Sequence, residues 1–185
     1  MDWTRFRSSC LWRRSLLVMA STLLLCACGK QPAVLDMRIA EGKPFPPLKL
    51  NYASGDVLST KTFPGKMLVL NVWATWCPPC RREMPSLERL SRTLDPQRFA
   101  VIGLSTDQDE KLASEFLLQN QITFANFFDQ SGKIAKQLGL KVYPETFVIA
   151  PDGTLVERIP GLREWDSAAM LAQLEDAYQR HRPGK

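Results

Sequence analysis

Histidine is almost absent from this chain of 185 residues: there is one, His181, near a Pro-Gly-Lys end. A closed zinc site usually needs four cysteine or histidine ligands. Covalent haem attachment needs a histidine directly after the second cysteine of a CxxC pair, and Arg81 follows Cys80 here. The scarcity of histidine therefore argues against intrachain zinc and against covalently bound haem.

Long apolar runs are also missing. The apolar stretch Leu16–Leu25 is short for a membrane span. Four arginines precede it, at positions 5, 7, 13 and 14. A basic segment followed by a short apolar segment is typical of an export signal, so we expect residues 1–27 to be a signal peptide.

The end of this segment resembles the lipobox of bacterial lipoproteins. Leu25 stands three residues before Cys28, and the small residue Ala27 stands immediately before it. In lipoproteins the chain is cut before such a cysteine, which then carries lipid. We expect a lipid on Cys28 and a tether over residues 28–41; a plain secretory signal and an uncleaved anchor are the alternatives.

Few cysteines remain after such cleavage. Of five in the chain, Cys10 and Cys26 leave with the signal peptide and Cys28 carries lipid, so Cys77 and Cys80 are the remaining thiols. A disulfide that closes so small a loop constrains the unfolded chain very little. Redox exchange is what remains, because the second thiol of a CxxC pair can attack a mixed disulfide formed by the first.

Charge gives no reason to expect a nucleic-acid partner. The formal net charge is +5, and loss of residues 1–27 removes four arginines and one aspartate, which leaves +2. A chain so near neutrality, with no dense basic run, lacks the electrostatic footprint of a nucleic-acid-binding protein.

The cysteine pair lies between a predicted strand and a predicted helix. Residues 67–72 form an apolar, β-branched run, and apolar residues recur at helical spacing over 82–94. Pro78 and Pro79 are tolerated in a first helical turn, where no backbone donor is needed. The unpaired N–H groups and the helix dipole would then favour a thiolate at Cys77. We predict that Cys77 attacks and Cys80 resolves.

These motifs resemble the thioredoxin family. "VLNVWATWCPPCRREMP", residues 69–85, is similar to its membrane-tethered bacterial branch, the TlpA, ResA and DsbE-like cytochrome c maturation reductases. "GKPFPPLKLNYASGDVLSTKTFPGK", residues 42–66, resembles the N-terminal β-hairpin of that branch. "VYPETFVIAPDGTLVERIPG", residues 142–161, resembles the loop and hairpin that hold the family's cis-proline.

The resemblance implies roles for particular residues. A cis Tyr143-Pro144 bond would place a backbone edge beside Cys77, with which an extended substrate segment can pair. Glu83 matches an acidic residue near the active site in many members of the branch, and a solvated helix residue is the alternative interpretation. The expected substrate-binding residues are Trp76, Pro78, Pro79, Tyr143, Pro144 and Glu145.

Asn71 departs from the thioredoxin pattern. Ordinary thioredoxins carry a buried aspartate there, and an asparagine cannot relay a proton. Either Glu83 or Glu145, if partly buried with a raised pKa, could deprotonate Cys80. We favour Glu83 and expect Trp73 and Trp76 to serve packing and surface shape.

The expected fold class is α/β: a thioredoxin fold, in which helices flank a central mixed sheet, with an N-terminal β-hairpin extension and a central insertion. The apolar patterns predict strands over 100–105 and 146–150, helices over 109–120 and 165–179, and a short strand and helix within 123–140. Core packing is the expected role of Phe124, Phe127 and Phe128. We expect one domain over 42–181 and a tail over 182–185.

The resemblance implies a membrane-anchored thiol–disulfide oxidoreductase of the bacterial periplasm. It would reduce disulfides in exported proteins such as apocytochrome c, with a membrane thiol–disulfide protein as electron donor. We expect a monomer with no cofactor or metal besides the redox-active Cys77–Cys80 pair.

Three alternatives stay open. The same motif serves disulfide donors, because direction depends on which redox state the fold stabilises. A copper-handling protein would use a further ligand such as Met84. A thiol peroxidase needs a threonine three residues before its reactive cysteine, and Ala74 stands there.

Overall fold

The computed structural model describes residues 39–52, 57–60 and 63–182, and for residues 57 and 58 it describes the backbone. The predicted signal peptide, the lipidation site Cys28, tether residues 29–38 and tail residues 183–185 lie outside the described residues. Within those ranges, no helix is both long and apolar enough to cross a membrane.

The described residues form seven strands and four helices. The strands are β1 (Lys49–Asn51), β2 (Val57–Ser59), β3 (Met67–Trp73), β4 (Phe99–Ser105), β5 (Ala125–Phe128), β6 (Glu145–Ile149) and β7 (Leu155–Pro160). The helices are α1 (Pro78–Thr93), α2 (Glu110–Gln119), α3 (Lys133–Gln137) and α4 (Ala168–His181).

The strands form one mixed sheet in the order β2-β1-β5-β4-β3-β6-β7. Strands β3, β4 and β5 run parallel, and β6 pairs antiparallel with both β3 and β7. The hairpin β1–β2 extends the sheet through an antiparallel contact of β1 with β5. The predicted thioredoxin fold with an N-terminal hairpin is therefore confirmed.

Apolar side chains cover both faces of the sheet. All seven residues of β3 are buried, as expected of a central strand with covered faces. Val69 and Trp73 point into one core, and Leu70 and Val72 point into the other, because successive side chains alternate across a strand.

The first core includes Leu87, Ala113 and Leu174 from the three long helices. The second includes Leu48, Leu138 and Phe147. The phenylalanines at 124, 127 and 128 are buried, so their core role is confirmed.

The predicted last helix starts too early. Helix α4 begins at Ala168, where the Ser167 side chain accepts a hydrogen bond from the Met170 N–H at 3.3 Å. Trp165 therefore lies in the preceding loop, and it is fully buried there. A serine that satisfies a free N–H of the first turn is a strong start signal for a helix, and here it outweighs the earlier apolar residue.

Gly103 on β4 leaves space for two polar side chains. A Cβ there would overlap the Asn126 side-chain amide and lie 3.0 Å from Trp73 Nε1. Asn126 cannot move freely, because its Oδ1 accepts from Trp73 Nε1 at 2.9 Å and its Nδ2 donates to the Phe124 carbonyl at 3.0 Å. We expect Gly103→Ala to lower the free energy of unfolding by about 1–3 kcal/mol, measured by urea denaturation. The cost should shrink in an Asn126→Ala background; an equal cost there would contradict this explanation.

Candidate active site

Cys77 and Cys80 lie at the start of α1 and form a disulfide, with their Cα atoms 5.3 Å apart. Cys77 is the N-cap residue and is 4% exposed, whereas Cys80 is fully buried. Pro78 and Pro79 are the first two residues of the helix, as predicted, and the Cys80 N–H points at Cys77 Sγ at 3.2 Å. The sulfur of Cys77 therefore faces a backbone N–H that has no partner within the helix, and it also faces the positive end of the helix dipole.

A buried carboxylate holds the segment before the cysteines. Asp107 accepts hydrogen bonds from the Thr75 N–H at 3.0 Å and from the Thr75 hydroxyl at 2.6 Å. The Ser105 hydroxyl also donates to Asp107, at 2.7 Å. These bonds tie the segment to the end of β4 and so fix the approach to Cys77. The role of Asp107 was not predicted, because its partner Thr75 is 32 residues away in the sequence.

The peptide bond Tyr143-Pro144 is cis. The Tyr143 ring meets the Trp76 ring edge-on, with centroids 5.0 Å apart, so this loop lies against the residue that precedes Cys77. The Pro144 carbonyl accepts from the Gly161 N–H at 2.8 Å, which joins the loop to the end of β7. An open groove of about 870 Å³ lies beside Trp76 and Tyr143.

Glu83 lies one helical turn after Cys80 and is 1% exposed. Its Oε1 accepts from Asn71 Nδ2 at 2.7 Å. Its Oε2 accepts from Trp165 Nε1 at 3.1 Å and from the Arg163 N–H at 3.2 Å. Burial raises the pKa of Glu83 to about 7, although these hydrogen bonds and the Arg163 charge act against the rise. The interpretation of Glu83 as a solvated helix residue is therefore wrong.

Glu145 is also buried but has a charged partner. Arg158 Nε and Nη2 donate to its two carboxylate oxygens at 2.6 and 2.9 Å. The hydrogen bonds that Arg158 donates to Glu145 raise the pKa of Arg158 above its ordinary value. The two candidate bases thus differ in kind: Glu145 belongs to an ion pair, whereas Glu83 is held by neutral donors next to the cysteines.

Met84, the further ligand that a copper-handling protein would use, is fully buried in the core on the Trp73 side of the sheet. Among the described residues, no group of three or more His, Cys, Asp and Glu side chains could hold a metal ion.

The fold and the site together define a thioredoxin-like thiol–disulfide oxidoreductase. The site combines a CxxC disulfide at a helix N-terminus, a neighbouring cis-proline loop and a buried carboxyl one turn after the second cysteine. A CxxC pair at a helix N-terminus is suited to thiol–disulfide exchange.

Comparison with known proteins gives the family. Residues 42–158 match the AhpC/TSA family. The chain is 36% identical over 156 residues to the thiol:disulfide interchange protein DsbE of Yersinia pestis, covering 79% of this chain and 78% of that one. It is 28% identical over 156 residues to the thiol-disulfide oxidoreductase ResA of Bacillus thuringiensis, covering 80% and 90%. The chain therefore belongs to the thioredoxin-like AhpC/TSA family and is a thiol–disulfide oxidoreductase of the ResA/DsbE type.

A solved structure agrees with this assignment. The crystal structure of a candidate thiol:disulfide interchange protein DsbE from Chlorobium tepidum matches with a TM-score of 0.69 and 27% identity. The match covers 75% of this chain and 98% of that one, so it includes almost the whole of the solved domain.

Proposed function

We propose that this protein reduces disulfides in exported proteins, such as apocytochrome c, on the periplasmic side of a bacterial membrane. A lipid on Cys28 would anchor it, and a membrane thiol–disulfide protein would return the pair to the dithiol. The names of the ResA and DsbE relatives support disulfide exchange. The resemblance of residues 25–28 to a lipobox supports the anchor.

In the proposed cycle, the Cys77 thiolate attacks one sulfur of the substrate disulfide, and the other substrate sulfur leaves as a thiolate. Cys80 then gives its proton to Glu83, and its sulfur attacks Cys77 Sγ. This step forms the Cys77–Cys80 disulfide and releases the second substrate sulfur as a thiolate, which takes up a proton. The first substrate thiolate also takes up a proton. One of the two protons comes from Glu83, and the other comes from solvent, to which Cys77 gave its proton when it ionised. The substrate gains two electrons, which the cysteine pair loses.

Three exposed apolar side chains lie on segments next to Cys77 or next to the cis-proline loop, and they suit a protein substrate. Trp76 is 60% exposed. Val142, just before the cis Tyr143-Pro144 bond, is 44% exposed, and Leu162, just after Gly161, is 42% exposed. Exposed apolar residues that cluster around a reactive group mark a docking surface. We propose that the substrate covers these three side chains and pairs its backbone with the edge at Tyr143.

The observation that carries the direction of electron flow is the buried Glu83 carboxyl next to the buried Cys80. Residues three apart on a helix are neighbours, so a charge on Glu83 opposes a thiolate on Cys80. Burial of Cys80 opposes that thiolate as well. Neither effect allows ionisation of Cys80 to stabilise the dithiol, and stabilisation of the reduced form is what makes a pair a strong oxidant.

The reduction potential of the Cys77–Cys80 pair tests this proposal. We expect a value near or below about −270 mV in equilibrium with glutathione and dithiothreitol mixtures, with peptide mapping to follow this pair alone. A value near about −120 mV is typical of disulfide donors and would overturn the proposed direction. Glu88→Gln is the matched control for Glu83→Gln: the Glu88 carboxylate lies on the same helix and accepts from Thr123 and Arg92, so the potential should change only in the Glu83 variant.

A further inference from the structure

The side-chain amide of Asn71 makes two hydrogen bonds through its nitrogen and none through its oxygen, among the described residues. Its Nδ2 donates to Glu83 Oε1 at 2.7 Å and to Thr146 Oγ1 at 3.0 Å. Its Oδ1 is buried and has no hydrogen-bond partner among the described residues. Buried polar atoms are nearly always paired, so an acceptor left over beside the redox site calls for an explanation. The same amide joins helix α1, which carries Cys80, to the strand that follows Pro144.

The contacts of Glu83 fit only its ionised form. Oε1 faces the Asn71 amide donor, and Oε2 faces the indole N–H of Trp165 and the backbone N–H of Arg163. An ionised carboxylate accepts hydrogen bonds and donates none. A neutral carboxyl must donate its O–H, and none of these three groups can accept it. The arrangement therefore leaves the proton on Glu83 without a partner.

A half-turn of the Asn71 amide about its Cβ–Cγ bond would supply that partner. The turn exchanges the positions of Oδ1 and Nδ2, so one end of the amide has no partner among the described residues in either form. Oδ1 would then accept from the Glu83 O–H and from the hydroxyl of Thr146, which can donate as well as accept. We propose that Asn71 is a positioning residue that turns its amide with the protonation of Glu83 and so holds that carboxyl in place in both forms. This proposal rests on the proposed role of Glu83 as the proton acceptor for Cys80.

The charged and titratable groups around Glu83 allow this exchange near neutral pH. The loop between β7 and α4 contributes the Arg163 charge, which favours the ionised form, and burial opposes it. Helix α1 contributes Cys80, which titrates only in the dithiol. Strands β3 and β6 contribute Asn71 and Thr146, which carry no charge, and Glu145 on β6 is paired with Arg158. In the disulfide form, Glu83 is therefore the group whose titration the amide follows.

Nuclear magnetic resonance on the detergent-solubilised full-length chain in its disulfide form tests the proposal between pH 5 and 9. Above the Glu83 midpoint, the Asn71 Nδ2 protons should show a nuclear Overhauser effect to the Thr146 methyl group. Below it, that effect should be lost, with the midpoint read from the Glu83 Cδ resonance. Asn126 is the matched internal control: it is a buried asparagine of the same sheet with both amide ends bonded, so its signals should not change.

The outcomes separate this proposal from the one on which it depends. The turning amide is supported if the nuclear Overhauser effect between Asn71 and Thr146 is lost at the Glu83 midpoint in the wild type and does not depend on pH in Glu83→Gln. A constant effect while Glu83 titrates would overturn the turning amide and leave the base role of Glu83 standing. If the Glu83 resonance does not titrate in this range, both are overturned.

Discussion

Cys80→Ser is expected to convert this oxidoreductase into a trap for its substrate. Cys77 lies at the helix N-terminus and keeps its environment in the variant, so it still attacks a substrate disulfide. Serine cannot displace the mixed disulfide, so the complex accumulates and turnover falls to the rate of uncatalysed exchange. Non-reducing electrophoresis of cells that express the full-length variant, followed by mass spectrometry of the new bands, measures the effect and identifies the trapped substrate.

Cys77→Ser is the matched control for this trap. Cys80 is fully buried, so it should form no adducts with protein substrates. Iodoacetamide near neutral pH should likewise alkylate Cys77 in the Cys80→Ser variant faster than Cys80 in the Cys77→Ser variant. Peptide mapping assigns each adduct to Cys77 or Cys80. Equal trapping by the two variants, or equal alkylation rates, would contradict the assignment of Cys77 as the nucleophile.

The position of the cysteine pair could be predicted from the sequence because local rules determine it. An apolar run predicts the buried strand β3, and the spacing of apolar residues predicts α1. Prolines at 78 and 79 fit the first helical turn, where no backbone donor is needed. The nucleophile of the site therefore depends on residues within one short segment.

The environment of Glu83 could not be predicted in this way. Its donors stand 12, 80 and 82 residues away in the sequence, at Asn71, Arg163 and Trp165. Nothing in the local pattern of α1 distinguishes a buried glutamate from a solvated one. Trp165 was moreover assigned to a helix, whereas it lies in the loop that brings its indole to Glu83.

The Glu145–Arg158 pair was missed for a different reason. The hairpin β6–β7 could be predicted from its Asp152-Gly153 turn. A register shift between Val148 and Ile149 changes which residues face each other across it. A shift of one residue moves side chains to the other face of a sheet, so counting outward from the turn does not find this ion pair.

Glu83→Gln is expected to change both stability and catalysis in a way that depends on pH. The folded-state pKa of Glu83 is about 7, above the ordinary value of 4.5 that applies to the unfolded chain. Between these values the folded chain binds more protons, so stability falls as pH rises from about 4.5 to 7. Linkage gives a loss of about 3 kcal/mol across this window. Urea denaturation of the disulfide form at pH 5, 6, 7 and 8 should show this slope in the wild type, and the difference from Glu83→Gln isolates it.

Glu88→Gln is the control for stability, because Glu88 is a second buried glutamate on α1. Burial raises its pKa, but hydrogen bonds from Thr123, Arg92 and Phe124 outweigh that effect, and the net pKa is lowered. A lowered folded-state pKa contributes stability above the unfolded value of 4.5 and loses it only at lower pH. The Glu88 variant should therefore be less stable by a constant amount from pH 5 to 8, with the wild-type slope unchanged.

The kinetic part of the Glu83 prediction decides whether this buried acid takes part in the reaction. A base that removes the Cys80 proton contributes about 10²-fold or more, so release of substrate thiol in a single turnover should slow by about that factor in Glu83→Gln. The inflection of the release rate near pH 7 should disappear as well. If the variant removes the stability slope but leaves the release rate and its pH profile intact, Glu83 titrates in the fold without serving Cys80. If the variant removes both the stability slope and the pH dependence of the release rate, Glu83 serves Cys80 as its base. The burial of Glu83 then has two effects: it lowers stability above pH 4.5, and it places the pKa of Glu83 where proton transfer at neutral pH needs it.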